Sequence, residues 1–167
     1  MSYKYYGRLV KMKEQKTNAI RILEREKIDF VVHEFDSDIT DGVLVAKSLN
    51  VECERVFKTL VTTGSDLNHY VFVIPVDKTL DLKKAAKSVN QKSISMLKQK
   101  DLFNLTGYVH GGCSPIGMKK QFKTVFDETA MLYDRIYFSG GRRGVNVECD
   151  QLKVREVFGF TLADLVV

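Results

Sequence analysis

The chain is poor in cysteine, histidine and proline, with three, three and two of each in 167 residues. Cys53, Cys113 and Cys149 are odd in number and far apart. That excludes a disulfide framework and a cysteine zinc site, and it points to a reducing cytoplasm. His33, His69 and His110 show no metal-ligand spacing, so neither a metal nor another cofactor is expected. No apolar run approaches the length of a bilayer span. Met1 to Gly7 holds no apolar core of a secretory signal. The nucleophile elbow Gly-x-Ser-x-Gly is missing. Internal repeats, low-complexity segments and linkers that would split the chain are missing as well.

What is present fits one domain with its own core, 44% apolar and 28% charged. The net charge of +5 is compatible with an RNA partner held through its phosphates. Residues 1–16 carry lysines and tyrosines without a clear period and read as an extension, either a solvated terminus or a basic arm, ahead of a domain over 17–167. Thr17 is placed to cap a helix reaching about Lys27. Ile28 to Phe35 reads as a strand, and a short helix follows Thr40, Asp41 and Gly42 with Val43, Ala46 and Leu49 recurring. Arg55–Thr63 and His69–Val76 read as a hairpin, with Pro75 at an edge or end. Lys78 to Asn90 contains a helix that turns Leu82, Ala85, Ala86 and Val89 inward. Further strands are expected at Ser93–Leu97, Thr124–Asp127, Arg135–Ser139 and Val145–Glu148, and a last helix from Asp150 to Phe158 ends at Gly159. Helices and strands mix without a steady βαβ rhythm, which makes the class α+β.

The densest local signal is Gly107 to Gly117, which holds four of the eleven glycines and Pro115. Glycine allows positive φ and close backbone approach, while Pro115 stiffens the loop and biases Ser114 to an extended form. Such a loop is either a tight turn or a set of N–H groups converging on an anion or a polarised carbonyl. A phosphate loop of the Walker type would need lysine and a hydroxyl where Met118 and Lys119 stand, so that reading fails. The glycine spacing does not fit the dinucleotide fingerprint either.

Four segments together resemble one family. Gly111-x-x-x-Pro115-x-Gly117 resembles the GxxxPxG loop of the YbaK/EbsC aminoacyl-tRNA deacylases, relatives of the editing domain of bacterial prolyl-tRNA synthetases. Val56 to Val61, with Phe57-Lys58-Thr59-Leu60, resembles the family's lysine-bearing strand. Phe138 to Gly144, with Ser139-Gly140-Gly141-Arg142-Arg143, resembles its SGGxRG segment, and Asp81 to Lys87 is also typical. The segments fall in family order and cover roughly residues 17 to 165. The resemblance implies a strongly twisted mixed β-sheet approaching a barrel, with helices around it.

It also implies roles. From pattern alone Lys58 either sits on the wet face of a sheet or lines a pocket; the resemblance implies the pocket, where its charge would orient a carbonyl or phosphate. Gly111, with its neighbours Gly112 and Gly117, would supply N–H groups to the ester carbonyl, and Pro115 would stiffen the loop that binds it or the terminal ribose. Thr59, Ser139 and Gly140 would complete the aminoacyl pocket. Arg143, with Arg142, reads either as a solvated turn or as a contact to terminal phosphates. Cys113 reads as packing. The expected activity is deacylation of mischarged aminoacyl-tRNA, Cys-tRNA(Pro) first, with the substrate's own thiol attacking the ester so that no protein nucleophile is needed. Expected partners are the acceptor end of tRNA and a transient complex with prolyl-tRNA synthetase, without a membrane. Phe35, Asp41 and Asn146 depart from the family's usual residues at pocket positions, which bears on the amino acid preferred. Two rivals keep the fold: a deacylase of Ala-tRNA or another small aminoacyl-tRNA, and a tRNA- or nucleotide-binding module without turnover.

Overall fold

The computed structural model describes residues 2–4 and 16–167. The extension over 1–16 therefore lies outside the described residues except for 2–4 and Lys16. In chain order the elements are β1 (Ser2–Lys4), α1 (Asn18–Arg25), β2 (Phe30–Glu34), α2 (Gly42–Ser48), β3 (Phe57–Gly64), β4 (His69–Pro75) and α3 (Leu82–Ser88). They continue with β5 (Ile94–Met96), α4 (Leu102–Thr106), β6 (Lys123–Asp127), β7 (Arg135–Arg142), β8 (Val145–Asp150), α5 (Gln151–Phe158) and β9 (Thr161–Ala163).

The strands form a four-stranded sheet, β1-β2-β8-β7, and a five-stranded sheet, β5-β3-β4-β6-β9. The second is mixed, because β6 lies parallel to both β4 and β9 while β3 runs antiparallel to β4 and β5. One parallel bridge, Val56 to Tyr137, joins the sheets. The architecture is thus mixed α+β, and no closed barrel is formed among the described residues.

Local chemistry sets most boundaries. Thr17, Asp41, Asp81 and Asp150 each accept a backbone N–H from the first turn of α1, α2, α3 and α5, a cap worth about 1 kcal/mol apiece. Gly159 ends α5 at φ +69, where a residue with a Cβ would be strained. The main core packs Ile20 and Leu23 of α1 against Phe30, Val61, Phe126 and Phe138 from both sheets. A second cluster, with Phe72, Ile74 and Val125, lies under Ala85 and Ala86 of α3.

Two expected faces differ. Leu82 is 42% exposed, because Asp81 caps α3 and puts Leu82 in its first turn, while Leu80 ahead of the cap fills the core position. In α2 the buried pair is Val45 and Ala46, and Val43 is exposed. The strand before α2 begins at Phe30 rather than Ile28, since the Ile28 N–H is drawn back to the Leu23 carbonyl at the end of α1.

Across β2, β8 and β7 the Glu148 carboxylate meets His33 Nε2 at 3.0 Å and accepts from Arg135 Nε at 2.9 Å. Burial alone would raise this carboxyl, but hydrogen bonds from His33, Arg135 and Tyr137 outweigh burial and hold it below the usual value. A carboxyl depressed on folding stabilises the fold above its unfolded pKa, and that contribution is lost as pH falls through its folded value. Glu148→Gln is expected to cost about 1–3 kcal/mol at neutral pH in urea unfolding. The gap from wild type should narrow as the titration is repeated at more acid pH.

Candidate active site

The site begins at a gap along one edge of β3. In the β3–β4 ladder the Val76 N–H donates to Val56 O, and Gly64 N–H to Asn68 O. Even-numbered residues of β3 therefore point their backbone groups at β4, and odd-numbered residues point theirs at the opposite edge. There Ser65 N–H donates to Ser93 O, and Val61 O accepts from Leu97 N–H. The ladder to β5 covers Thr62 to Gly64, and β7 bridges to Val56 just ahead of β3. Thr59 falls between them, so its N–H and C=O face the gap.

A cavity of about 450 Å³ occupies that gap. Phe57, Lys58, Thr59 and Leu60 form its β3 wall. Because the cavity opens at a strand edge, it takes side chains from both faces of β3. Phe35 after β2, and Thr40, Asp41 and Gly42 at the start of α2, form a second wall. Ser139 of β7 and Asn146 of β8, which are ladder partners, lie together on a third. His110, Gly111 and Cys113 close the fourth side.

Of the residues singled out from sequence, Lys58, Gly111, Phe35, Asp41, Thr59, Ser139 and Asn146 line this cavity. Gly112, Pro115, Gly117, Gly140 and Arg143 do not; the exposed Arg143 lines a neighbouring groove with Ser37, Asp38 and Arg142 instead. Arg143 Nε donates to His110 O at 2.9 Å. Gly112 packs so closely on the next segment that a Cβ there would stand 2.8 Å from Arg143 N. At the other end Asn18 Nδ2 donates to Gly117 O at 2.7 Å, and Thr17 Oγ1 donates to Gly140 O. Gly117, at φ +80, leaves room for the Tyr108 hydroxyl, which donates to Ile116 O at 2.7 Å. The start of α1 therefore clasps both glycine segments. Pro115 is buried beneath the loop.

The polar inventory of the cavity is unusual in what it leaves unmet. Thr59 Oγ1 and Asn146 Oδ1 are buried and have no hydrogen-bond partner among the described residues, a state that native interiors rarely tolerate without a reason. The Gly112 N–H closes a turn onto Val109 O at 2.9 Å, whereas the N–H groups of Gly111 and Cys113 have no partner among the described residues. Ser139 Oγ accepts from Gly141 N–H at 3.1 Å, which leaves its own proton to donate. Asp41 Oδ1 caps α2 through Leu44 N–H at 3.1 Å. The Lys58 ammonium makes no hydrogen bond or ion pair among the described residues. Burial pushes the Cys113 thiol up to about 12, so it is neutral near pH 7 and a poor nucleophile.

Sequence reasoning missed the cavity roles of Thr40, Val45, Leu102 and His110. Leu102 carried no signal, while His110 was visible beside Gly111 but was weighed only as a metal ligand. Among the described residues no group of three or more metal-ligating side chains is present, and no helix is long and apolar enough to cross a membrane.

Comparison with known proteins gives this geometry a context. Residues 37–157 match the model of the aminoacyl-tRNA editing domain. A protein of Enterococcus faecalis (strain ATCC 700802 / V583), named "Putative Cys-tRNA(Pro)/Cys-tRNA(Cys) deacylase EbsC", is 48% identical over 140 residues, which is 83% of this chain and 85% of the relative. Among solved structures, one described as "a putative trans-editing enzyme for prolyl tRNA synthetase" superimposes with a TM-score of 0.79 at 22% identity, covering 92% of this chain and 99% of its own. Another, the hypothetical protein APE2540, reaches 0.83 at 21% identity, covering 90% and 99%. At these identities the two structures speak to the fold alone.

Proposed function

Because the chain belongs to the aminoacyl-tRNA editing domain family, we propose that it is a free-standing deacylase of mischarged tRNA, with Cys-tRNA(Pro) as its substrate. Residues 17–167 are the editing domain on this reading, working in the cytoplasm and in transient contact with prolyl-tRNA synthetase. The observation that carries the proposal is the pair of unpartnered buried oxygens, Thr59 Oγ1 and Asn146 Oδ1, in a cavity that also holds Lys58 and free N–H groups. An aminoacyl ester supplies the matching groups. Its α-ammonium is all donor and fits the two acceptors, and its carbonyl oxygen is all acceptor and fits the N–H groups of Gly111 and Cys113. The Lys58 ammonium fixes the ester or the adjacent phosphate by charge. Ser139 donates to the remaining acceptor.

With cysteine bound, the substrate carries its own nucleophile. Its sulfur bonds to the ester carbonyl carbon, and the ribose oxygen leaves with the thiol's proton. The thiolactone ring of carbonyl carbon, Cα, Cβ and Sγ is then opened by water to give free cysteine. Tethering replaces the entropy that an external nucleophile would lose, so the high thiol pKa of Cys113 is no obstacle.

The wild type is expected to release cysteine from Cys-tRNA(Pro) faster than buffer alone. Thr59→Val, which swaps the hydroxyl for a methyl, should lower kcat/KM about tenfold, the worth of one good hydrogen bond. It should leave the Tm unchanged or raise it, since Thr59 Oγ1 has no partner in the fold. Release at the buffer rate would leave only the binding-module reading, and release of alanine but not cysteine would transfer the site to Ala-tRNA.

A further inference from the structure

Next in the chain to a residue of the cavity wall, α4 carries an exposed aromatic ring under a lysine ammonium. Leu102 and His110 line the cavity. Their chain neighbours Phe103 and Val109 turn outward, 55% and 42% exposed. Lys119 Nζ stands 5.3 Å from the centroid of the Phe103 ring and reaches Asn104 O at 3.4 Å. Its backbone N–H donates to Thr106 O at 2.9 Å. Gly107, at φ +82, lets the Lys119 stem pass, since a Cβ there would stand 3.3 Å from Lys119 Cγ. The cation is therefore tied to α4 at several points rather than swinging free. Lys120 adds a second charge, 5.9 Å from the Phe122 ring, and the turn before α4 carries Lys98 and Lys100, both exposed. Across residues 98–104 and 117–122 four lysines face one acid, Asp101.

We propose that this rim is a stacking platform for the unpaired nucleotides just upstream of the terminal adenosine of aminoacyl-tRNA, with a base on Phe103 and the phosphates on Lys119 and Lys120. The inference rests on the deacylase reading and extends it from the ester to the RNA that carries it. Exposed aromatic rings interleaved with lysine are the usual means of holding single strands without reading their sequence, because every base has a π face and every nucleotide a phosphate. Charge complementarity favours this occupant over a protein surface, since the rim is almost purely cationic. Continuity favours it too. Phe103 follows Leu102 of the cavity wall in α4, which keeps the ring within a few nucleotides' reach of a bound ester.

The test compares two substrates of the full-length protein, cysteinyl-tRNA and the minimal ester 3′-O-cysteinyl-adenosine. Phe103→Ala is expected to lower kcat/KM about tenfold on the tRNA, mostly through KM, and to leave the minimal ester within about twofold, as loss of one base–aromatic stack requires. Phe103→Trp should restore the tRNA rate, and Lys119→Gln should flatten the salt dependence on tRNA only. Equal losses on both substrates would mean that the ring merely supports the cavity, and no loss on tRNA would leave it to a protein partner; either result overturns the proposal. Binding of an unacylated single-stranded RNA ending in CCA is followed in parallel by fluorescence anisotropy. If the wild type cleaves neither ester yet binds this RNA through Phe103, the deacylase reading has failed and the platform has not.

Discussion

Lys58→Ala is expected to lower kcat/KM for Cys-tRNA(Pro) by about a hundredfold or more, the usual loss when a charge that stabilises the transition state is removed. The protein should fold as before. The Lys58 side chain makes no hydrogen bond or ion pair among the described residues, so its removal breaks no polar contact that supports β3. Its ladder partner Ile74 is fully buried, and that pairing is made by backbone, which alanine retains. A positive charge at a half-buried position without a counter-ion costs stability, so the Tm of the variant should hold or rise. Loss of activity together with retained or raised Tm is the signature of a group kept for the substrate. Lys58→Arg is a sharper test than alanine. It preserves charge but replaces a compact ammonium with a planar fork, and it should recover only a small part of the rate if the ammonium sits close to the ester. Full activity in Lys58→Ala would remove the residue from the mechanism and leave Gly111, Cys113, Thr59 and Asn146 to carry it.

Much of the fold was legible because its signals are local. Asp41 and Asp150 announce two helix starts by their own side chains, and Gly159 announces an end. The β3–β4 hairpin is visible because two runs rich in β-branched and aromatic residues flank a short polar turn. The four motif segments could be ordered along the chain, and the family followed from them. What could not be read is nonlocal. Asn18 reaches Gly117 across 99 residues and Thr17 reaches Gly140 across 123, and neither side chain differs in sequence from an ordinary helix start. The gap at Thr59 depends on where β5 stops and where β7 joins, a property of three strands at once. The same limit applies to Leu82, whose spacing suits an inward face and whose exposure is decided by Leu80 and the Asp81 cap.

The second large effect is expected at a residue that does not line the cavity. Gly112→Ala should reduce kcat about a hundredfold, the cost of misplacing catalytic groups by roughly an ångström, and should lower stability by about 1–3 kcal/mol, as overpacking does. The reason is steric. A Cβ at Gly112 would lie 2.8 Å from Arg143 N, 2.9 Å from Arg142 C and 3.0 Å from Arg142 Cα. All three are backbone atoms of the adjoining glycine-rich segment, so no side chain can swing aside and the two segments must part. Parting them strains the contact of Arg143 Nε with His110 O and shifts Gly111 and Cys113, which line the cavity. Gly159→Ala separates this from a general loss of stability. Gly159 has φ +69, and a Cβ added there would meet nothing within 4 Å, so alanine should cost about 1 kcal/mol through backbone strain without changing kcat. If both variants lose activity in proportion to their Tm, the loop is only structural. Should Gly112→Ala alone lose kcat, measured well below either Tm, then the packing of one glycine segment on the other sets the geometry of the cavity wall at Gly111 and Cys113.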